Sequence, residues 1–254
     1  MNKWAKPELI DTWDNTGFQV GDENASINKI LIALDLDRKV LDKAIEENYE
    51  MIISHHPLIF KPLNKITAEN HKENLLIDLI KNNIVVYNAH SNLDLAHNGV
   101  SHTLANKLQM FNTRPIKMIY EDEKNSHGYG QIGEINSSSK SHLVNLIKKE
   151  LTTDSLIIYG HIPKSVTKIA VCGGSGGDFI LDAHLQGAQV YITGDIKYHD
   201  AQGAFELGLA IIDAGHYNTE KIILPVIKEY LNNNLKSSIH LEVIDESSIP
   251  YEII

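Results

Sequence analysis

The residues best suited to chemistry in this chain are histidines that follow strand-like runs. Residues 51–58 read MIISHHPL, an apolar run that stops at two adjacent histidines and a proline. Successive side chains of a strand point to opposite faces, so His55 and His56 could share a site only if the strand ends there. Pro57 enforces that ending, because it cannot donate to a ladder and it holds the preceding residue extended. The pair would then sit at the carboxyl end of a strand, where open α/β sheets collect ligands. A plain surface turn is the other reading of His-His-Pro. Two further segments repeat the pattern. His90 and Asp94 follow the apolar residues 84–87, and His216 follows residues 209–212, with Glu220 four residues later. Around a strand-to-helix turn, an imidazole and a carboxylate at that spacing can converge on one cation. Taken singly, His90 reads equally as a core histidine, Asp94 as a helix cap and Glu220 as a partner for the positive end of a helix.

Four imidazoles and two carboxylates, all at expected strand ends, form a set of nitrogen and oxygen ligands without thiolate. Such a set suits Zn, Mn, Fe, Co or Ni. Five or so ligands shared between two ions would leave positions open for water and substrate. Ions ~3.5 to 4 Å apart can bridge a hydroxide and polarise a carbonyl, amidine or phosphoryl oxygen.

These residues need elements to position them. The run at 30–34 reads as a buried strand with Asp35 and Asp37 at its end, followed by a helix over 38–48 and then the strand that ends in the histidine pair. A helix over 68–82 leads to the strand at 84–87, and this alternation predicts an α/β fold built on a mostly parallel sheet. A helix is expected from about 98 to 109. Residues 14–21 read as a loop, with Trp13 and Phe18 as anchors into the core. Near residue 110 a second, α+β, domain begins. It comprises strands at 116–120 and 130–135 joined by the polar loop EDEKNSHGYG, a helix in SHLVNLIKKEL, and strands at 156–159 and 168–172. The run Gly173, Gly174, Ser175, Gly176, Gly177 falls between a strand and a helical pattern, so it resembles a backbone cradle for anions, although it matches neither a P-loop nor Gly-x-Gly-x-x-Gly. On that expectation Gly174→Val would keep any metals and lose nucleotide or phosphate ligands; a tight turn is the ordinary alternative. A helix over 199–207 starts at His199. The helix that follows His216 continues through Ile222, Ile223 and Val226, with Pro225 in its first turns, where proline is tolerated best.

Composition bounds the function. With 254 residues, 23 Lys and Arg against 33 Asp and Glu, and a formal charge of −10, a general nucleic-acid or anionic-membrane surface is disfavoured. The only cysteine, Cys172, excludes an internal disulfide and suits a reducing compartment. No apolar run reaches the ~18 residues of a spanning helix and the amino terminus has no leader-like apolar stretch, so a soluble, cytoplasmic protein is expected.

The motifs Trp13-Asp14-Asn15-Thr16-Gly17-Phe18, Ala33-Leu34-Asp35, Ser54-His55-His56-Pro57, His90-Ser91-Asn92-Leu93-Asp94, Gly173-Gly174-Ser175-Gly176 and Gly215-His216-Tyr217-Asn218-Thr219-Glu220 occur in order along nearly the whole chain. In this the chain resembles the GTP cyclohydrolase I type 2 homologues, also called YbgI-like or Nif-three-like proteins. The resemblance implies two divalent metal ions per chain. His55, His56, Asp94, His216 and Glu220 match the ligand positions, Glu220 as the bridging carboxylate, and His90 lies beside the metals. It also implies a metal-binding α/β domain from both chain ends, residues 1–110 plus 212–254, with a second domain, 111–211, inserted between them. A ring-shaped homohexamer is implied too, whereas the further middle domain of longer members has no room here. The function expected is a metal-dependent hydrolase of a nucleotide or related small molecule, with His90 or His199 as proton carriers. The alternative is a non-catalytic metal-handling or regulatory protein, with the same ligands holding metal for delivery or sensing.

Overall fold

Short buried runs of Ile, Leu and Val alternate along the chain with helices whose apolar residues recur at helical spacing, and this alternation generates the architecture. The computed structural model of the chain describes residues 1–245. In chain order it contains β1 (Gly17–Val20), β2 (Lys29–Ala33), α1 (Arg38–Glu46), β3 (Met51–Ser54), α2 (His71–Lys81), β4 (Val85–Asn88) and α3 (Ser91–Leu95). There follow α4 (Val100–Lys107), β5 (Phe111–Arg114), β6 (Lys117–Glu121), β7 (Ser126–Tyr129), β8 (Gln131–Ser138), α5 (Lys140–Leu151), β9 (Ile157–Tyr159) and β10 (Val166–Ser175). The chain then forms α6 (Ile180–Leu185), β11 (Val190–Gly194), α7 (Tyr198–Glu206), β12 (Ala210–Asp213), α8 (His216–Glu220), α9 (Ile223–Asn234) and β13 (His240–Val243). Asp37, Asn70 and Ser139 start α1, α2 and α5 by accepting the backbone N–H of Val40, Lys72 and His142.

The chain divides into two compact units, with boundaries at 92/93 and 223/224. The sequence placed these boundaries near 110 and 211. The second unit takes in more chain at both ends because α4 and α8 pack on β10, and β12 pairs with β11. Residues 246–254, the end of the outer domain expected from the sequence, lie outside the described residues.

In the first unit the sheet order is β1-β4-β3-β2-β13. β13, β2, β3 and β4 run parallel, and β1 closes the edge antiparallel to β4. Ala33, Ser54 and Asn88 lie level across the three central strands, so the residues just after them leave the sheet at one edge. Leu31, Ile52 and Val86 pack with Leu41 of α1 and Leu75 and Leu79 of α2 in a fully buried core. The segment read as a loop at 14–21 contains β1. Its expected core anchors are exposed, Trp13 at 57% and Phe18 at 47%, with Phe18 set edge-on to Tyr87.

The second unit holds a six-stranded sheet in the order β5-β8-β10-β11-β12-β9 and a separate ladder of β6 with β7. Parallel pairing in the six-stranded sheet is confined to β10, β11 and β12. Alternate residues of these strands serve two cores: Val171, Ile192 and Ile212 pack towards Leu104 and Ile147, and Ala170, Tyr191 and Ile211 towards Ile180 and Ala204. A sheet covered on both faces explains why these strands read as continuous apolar runs. The polar loop of the sequence reading contains β7, and the helix after His216 is two helices, so Pro225 sits in the first turn of α9, where its missing N–H costs nothing. Among the described residues, no helix is long and apolar enough to cross a membrane.

Candidate metal centre

The end of β3 is built to turn out two imidazoles. His55 N–H bonds back to the carbonyls of Ala33 and Leu34, and the Ser54 hydroxyl donates to the carbonyl of His56, which fixes the turn before Pro57. His55 is fully buried and His56 half-buried. From the end of β4, His90 joins them, with ring centroids 5.4 Å from His55 and 5.7 Å from His56. One ligand nitrogen from each of the three lies within 4.8 Å of the others, so the first unit alone presents a group that could hold a cation.

The second unit presents a histidine and carboxylate pair. His216 opens α8 and Glu220 ends it, with Nε2 and Oε2 3.0 Å apart. Two ligands at about 2.0–2.2 Å from one ion lie roughly 3 Å from each other, so the spacing suits a shared cation. Glu220 is 4% exposed. Gly194, at the end of β11, allows the close approach of α8: a Cβ there would lie 2.5 Å from the His216 nitrogen. Asp94, half-buried on α3, and Glu220 both act on the Cys172 thiol. Burial first, then these negative charges, push that thiol up to about 12, so it stays neutral and donates to the Gly173 carbonyl. The donor set is therefore nitrogen and oxygen, as the sequence suggested.

The outer nitrogens follow one pattern. The Nδ1 atoms of His55, His56, His90 and His216 lie 2.8 to 2.9 Å from the Ala89 carbonyl, Asp35, Asp14 and Asp195 respectively. With Nδ1 protonated towards its acceptor, Nε2 keeps its lone pair, which is how metal-binding imidazoles are oriented. The residues present thus fit a divalent metal.

Asp14 does more than orient His90. It also accepts the Thr16 hydroxyl at 2.5 Å and the Ser91 N–H and hydroxyl at 3.1 and 2.7 Å, at the start of α3. Burial opposes its ionisation, but the hydrogen bonds from His90, Thr16 and Ser91 outweigh that and hold its carboxyl well below the usual carboxylate range. A depressed folded value stabilises above the unfolded value of about 3.9, and the contribution is lost as pH falls below it. Asp14→Asn should therefore lower the unfolding free energy at pH 7, measured by urea titration, by roughly 1.5–3 kcal/mol for hydrogen bonds to a charged group. The gap to wild type should be full above about pH 5 and shrink below about pH 4. A gap that stays constant down to pH 3 would show that Asp14 is not the charged partner.

Only the end of the glycine run, Gly176 and Gly177, lies between strand and helix. Gly173, Gly174 and Ser175 belong to β10, at a register shift between Val171 and Ser175. The Gly173 N–H donates to the Ser101 hydroxyl and the Gly174 N–H to the Thr219 hydroxyl, and the Gly176 carbonyl accepts from Tyr191. The first two donors of the expected anion cradle are thus already committed within the fold. Gly174 instead makes room for Glu220: with φ of +64°, a Cβ there would lie 2.0 Å from Glu220 Oε1 and 3.3 Å from His216 Nε2. Thr219 is what pins this glycine. His199 is exposed on α7 against the Tyr198 ring and is not in any of the donor groups described above. Sequence reasoning missed the orienting acceptors Asp14, Asp35 and Asp195. Asp14 and Asp35 stood among the family motifs, and Asp35 at a strand end, but nothing in the spacing tied either of them, or Asp195, to an imidazole.

An α/β chain with histidine and carboxylate groups that could hold a metal ion is the class that fold and geometry define. Residues 1–250 match the model of the Duf34/NIF3 (NGG1p interacting factor 3) family, and the chain belongs to that family. A Clostridium perfringens protein named GTP cyclohydrolase 1 type 2 homolog is 37% identical over 251 residues, covering 98% of this chain and 95% of its own. A solved Staphylococcus aureus hypothetical protein is 29% identical with a TM-score of 0.90, covering 100% of this chain and 96% of its own. A Bacillus cereus protein related to NIF3 shares the fold, with a TM-score of 0.93 at 24% identity over 100% of this chain and 96% of its own.

Proposed function

We propose that the protein is a dinuclear divalent-metal protein and a metal-dependent hydrolase acting on a nucleotide or related small molecule. The family resemblance supplies the ligand set, His55, His56, Asp94, His216 and Glu220, with Glu220 shared. The observation that carries the reading is the common orientation of the four imidazoles, each with Nδ1 set against an acceptor, which leaves Nε2 as the ligating atom. A pair of divalent ions would supply Lewis acidity and a nucleophile at neutral pH. Asp35 and Asp195 hold His56 and His216 in the donating tautomer. His90, braced by Asp14, is placed to take or give a proton at Nε2. The names of the relatives suggest GTP as a first substrate to try, and the resemblance is the ground for proposing a homohexamer.

Elemental analysis of the purified chain should find up to two divalent transition ions. Metal-loaded protein, screened against nucleotides, phosphoesters and cyclic amides, should turn over one of them, and His56→Ala should abolish that turnover with unchanged circular dichroism. Two ions without turnover in a broad screen would favour the metal-handling role. A chain that purifies metal-free and cannot be reloaded would overturn both.

A further inference from the structure

Trp13 and Phe60 stand beside the first unit's histidines with their rings in solvent, 57% and 41% exposed. Both meet His90 edge-on, at centroid distances of 6.0 and 6.3 Å and interplanar angles of 82° and 85°. Their exposure does not come from slack chain. Asp14, next to Trp13, is fixed by His90 and Ser91, and Asn15 donates to the Ile59 carbonyl while Gln19 accepts the Ile59 N–H at 2.8 Å, tying the two aromatic segments together. Two large apolar rings held in water next to polar donors forgo burial that the fold could have given them. They lie 6.0 Å apart at 60°, too close and too tilted to sandwich a third ring, so they form a corner of two π faces with an imidazole at its foot. A π face is matched by another flat ring, and the neighbouring histidine nitrogens by polar atoms on that ring's edge.

We propose that Trp13 and Phe60 form a stacking platform that receives a planar heteroaromatic ring of the substrate and selects it over saturated analogues. This rests on the histidine cluster being the reactive side of the metal site, but stacking itself needs no metal, so the two can fail separately. Trp4, the other tryptophan, packs on Tyr230 with ring centroids 4.8 Å apart and planes tilted by 37°, and Trp4→Phe leaves Trp13 as the sole indole reporter. In the full chain with this change, guanosine and uridine should quench Trp13 emission saturably, with and without added zinc. Dihydrouridine, which keeps uridine's hydrogen-bonding groups but not its flat ring, should bind about ten-fold more weakly or worse. By calorimetry, Trp13→Leu and Phe60→Leu should each weaken nucleoside binding several-fold without changing ions per chain. Equal binding of uridine and dihydrouridine, no quenching by any nucleoside, or Trp13 emission that follows protein concentration alone would overturn the platform. Ions per chain, measured on the same samples, report separately on the metal reading.

Discussion

Gly174→Val should strip metal from the protein, and it should do so by displacing Glu220 rather than by removing an anion site. Any side chain at 174 starts with a Cβ 2.0 Å from Glu220 Oε1 and 3.0 Å from its Cδ, on a backbone with φ of +64°. A β-branched residue in the left-handed region costs on the order of 1–3 kcal/mol before the collision is counted. Glu220 is 4% exposed at the end of a five-residue helix pinned by Thr219, so it cannot swing away into solvent while keeping its place beside His216. Elemental analysis of loaded wild type and variant should show the loss of at least one ion per chain. Gly203→Ala provides the control, because nothing lies within 4 Å of a Cβ there and alanine suits the interior of α7. A Gly174→Val protein that keeps its metals but no longer binds GTP would restore the anion-cradle reading of the glycine run.

The contrast between those two outcomes shows how far the sequence could be read. Strand ends were legible because apolar runs stop sharply: Ser54 before His55, Tyr87 before Asn88 and Ile212 before Asp213 mark the edges where the donors emerge. Glycine chemistry was not legible in the same way. Gly174 adopts a positive φ whether it cradles an anion or bends a strand around a carboxylate, and only the partners of its N–H and the neighbours of its missing Cβ separate the two. Short edge strands escaped for a different reason. β1, β5 and β7 are four residues each and carry exposed or polar side chains, so no alternation is long enough to stand out from a loop. The acceptors behind the imidazoles were hidden by distance along the chain, since Asp14 meets His90 across 76 residues and Asp195 meets His216 across 21. His199 is a different case. A histidine beginning a helix after a strand looked like the others, yet it lies exposed against Tyr198 and outside the donor groups described.

Those hidden acceptors lead to a graded pair of variants at one histidine. His216→Ala deletes a nitrogen 3.0 Å from the Glu220 carboxylate and should lower the number of ions held per chain without unfolding the protein, since the ring is only part-buried and packs in no core cluster. Asp195→Asn removes no proposed ligand. It replaces the charged acceptor 2.8 Å from His216 Nδ1 by an amide that can present its NH2 instead, which weakens the hold on the donating tautomer and lowers the basicity of Nε2. The Asp195 backbone, with φ of 54°, lies in the left-handed region that asparagine tolerates well, so the fold should not change. Loss of such an orienting partner costs about 10- to 100-fold in metal affinity. Zinc titration against a competing chelator should therefore place Asp195→Asn between wild type and His216→Ala, with the same number of ions at saturation as wild type. If Asp195→Asn binds zinc as wild type does while His216→Ala loses an ion, the Asp195 contact is a surface pairing and His216 is oriented by its helix alone. If neither variant changes binding, His216 is not a ligand, and the metal site would have to be sought among His55, His56 and His90.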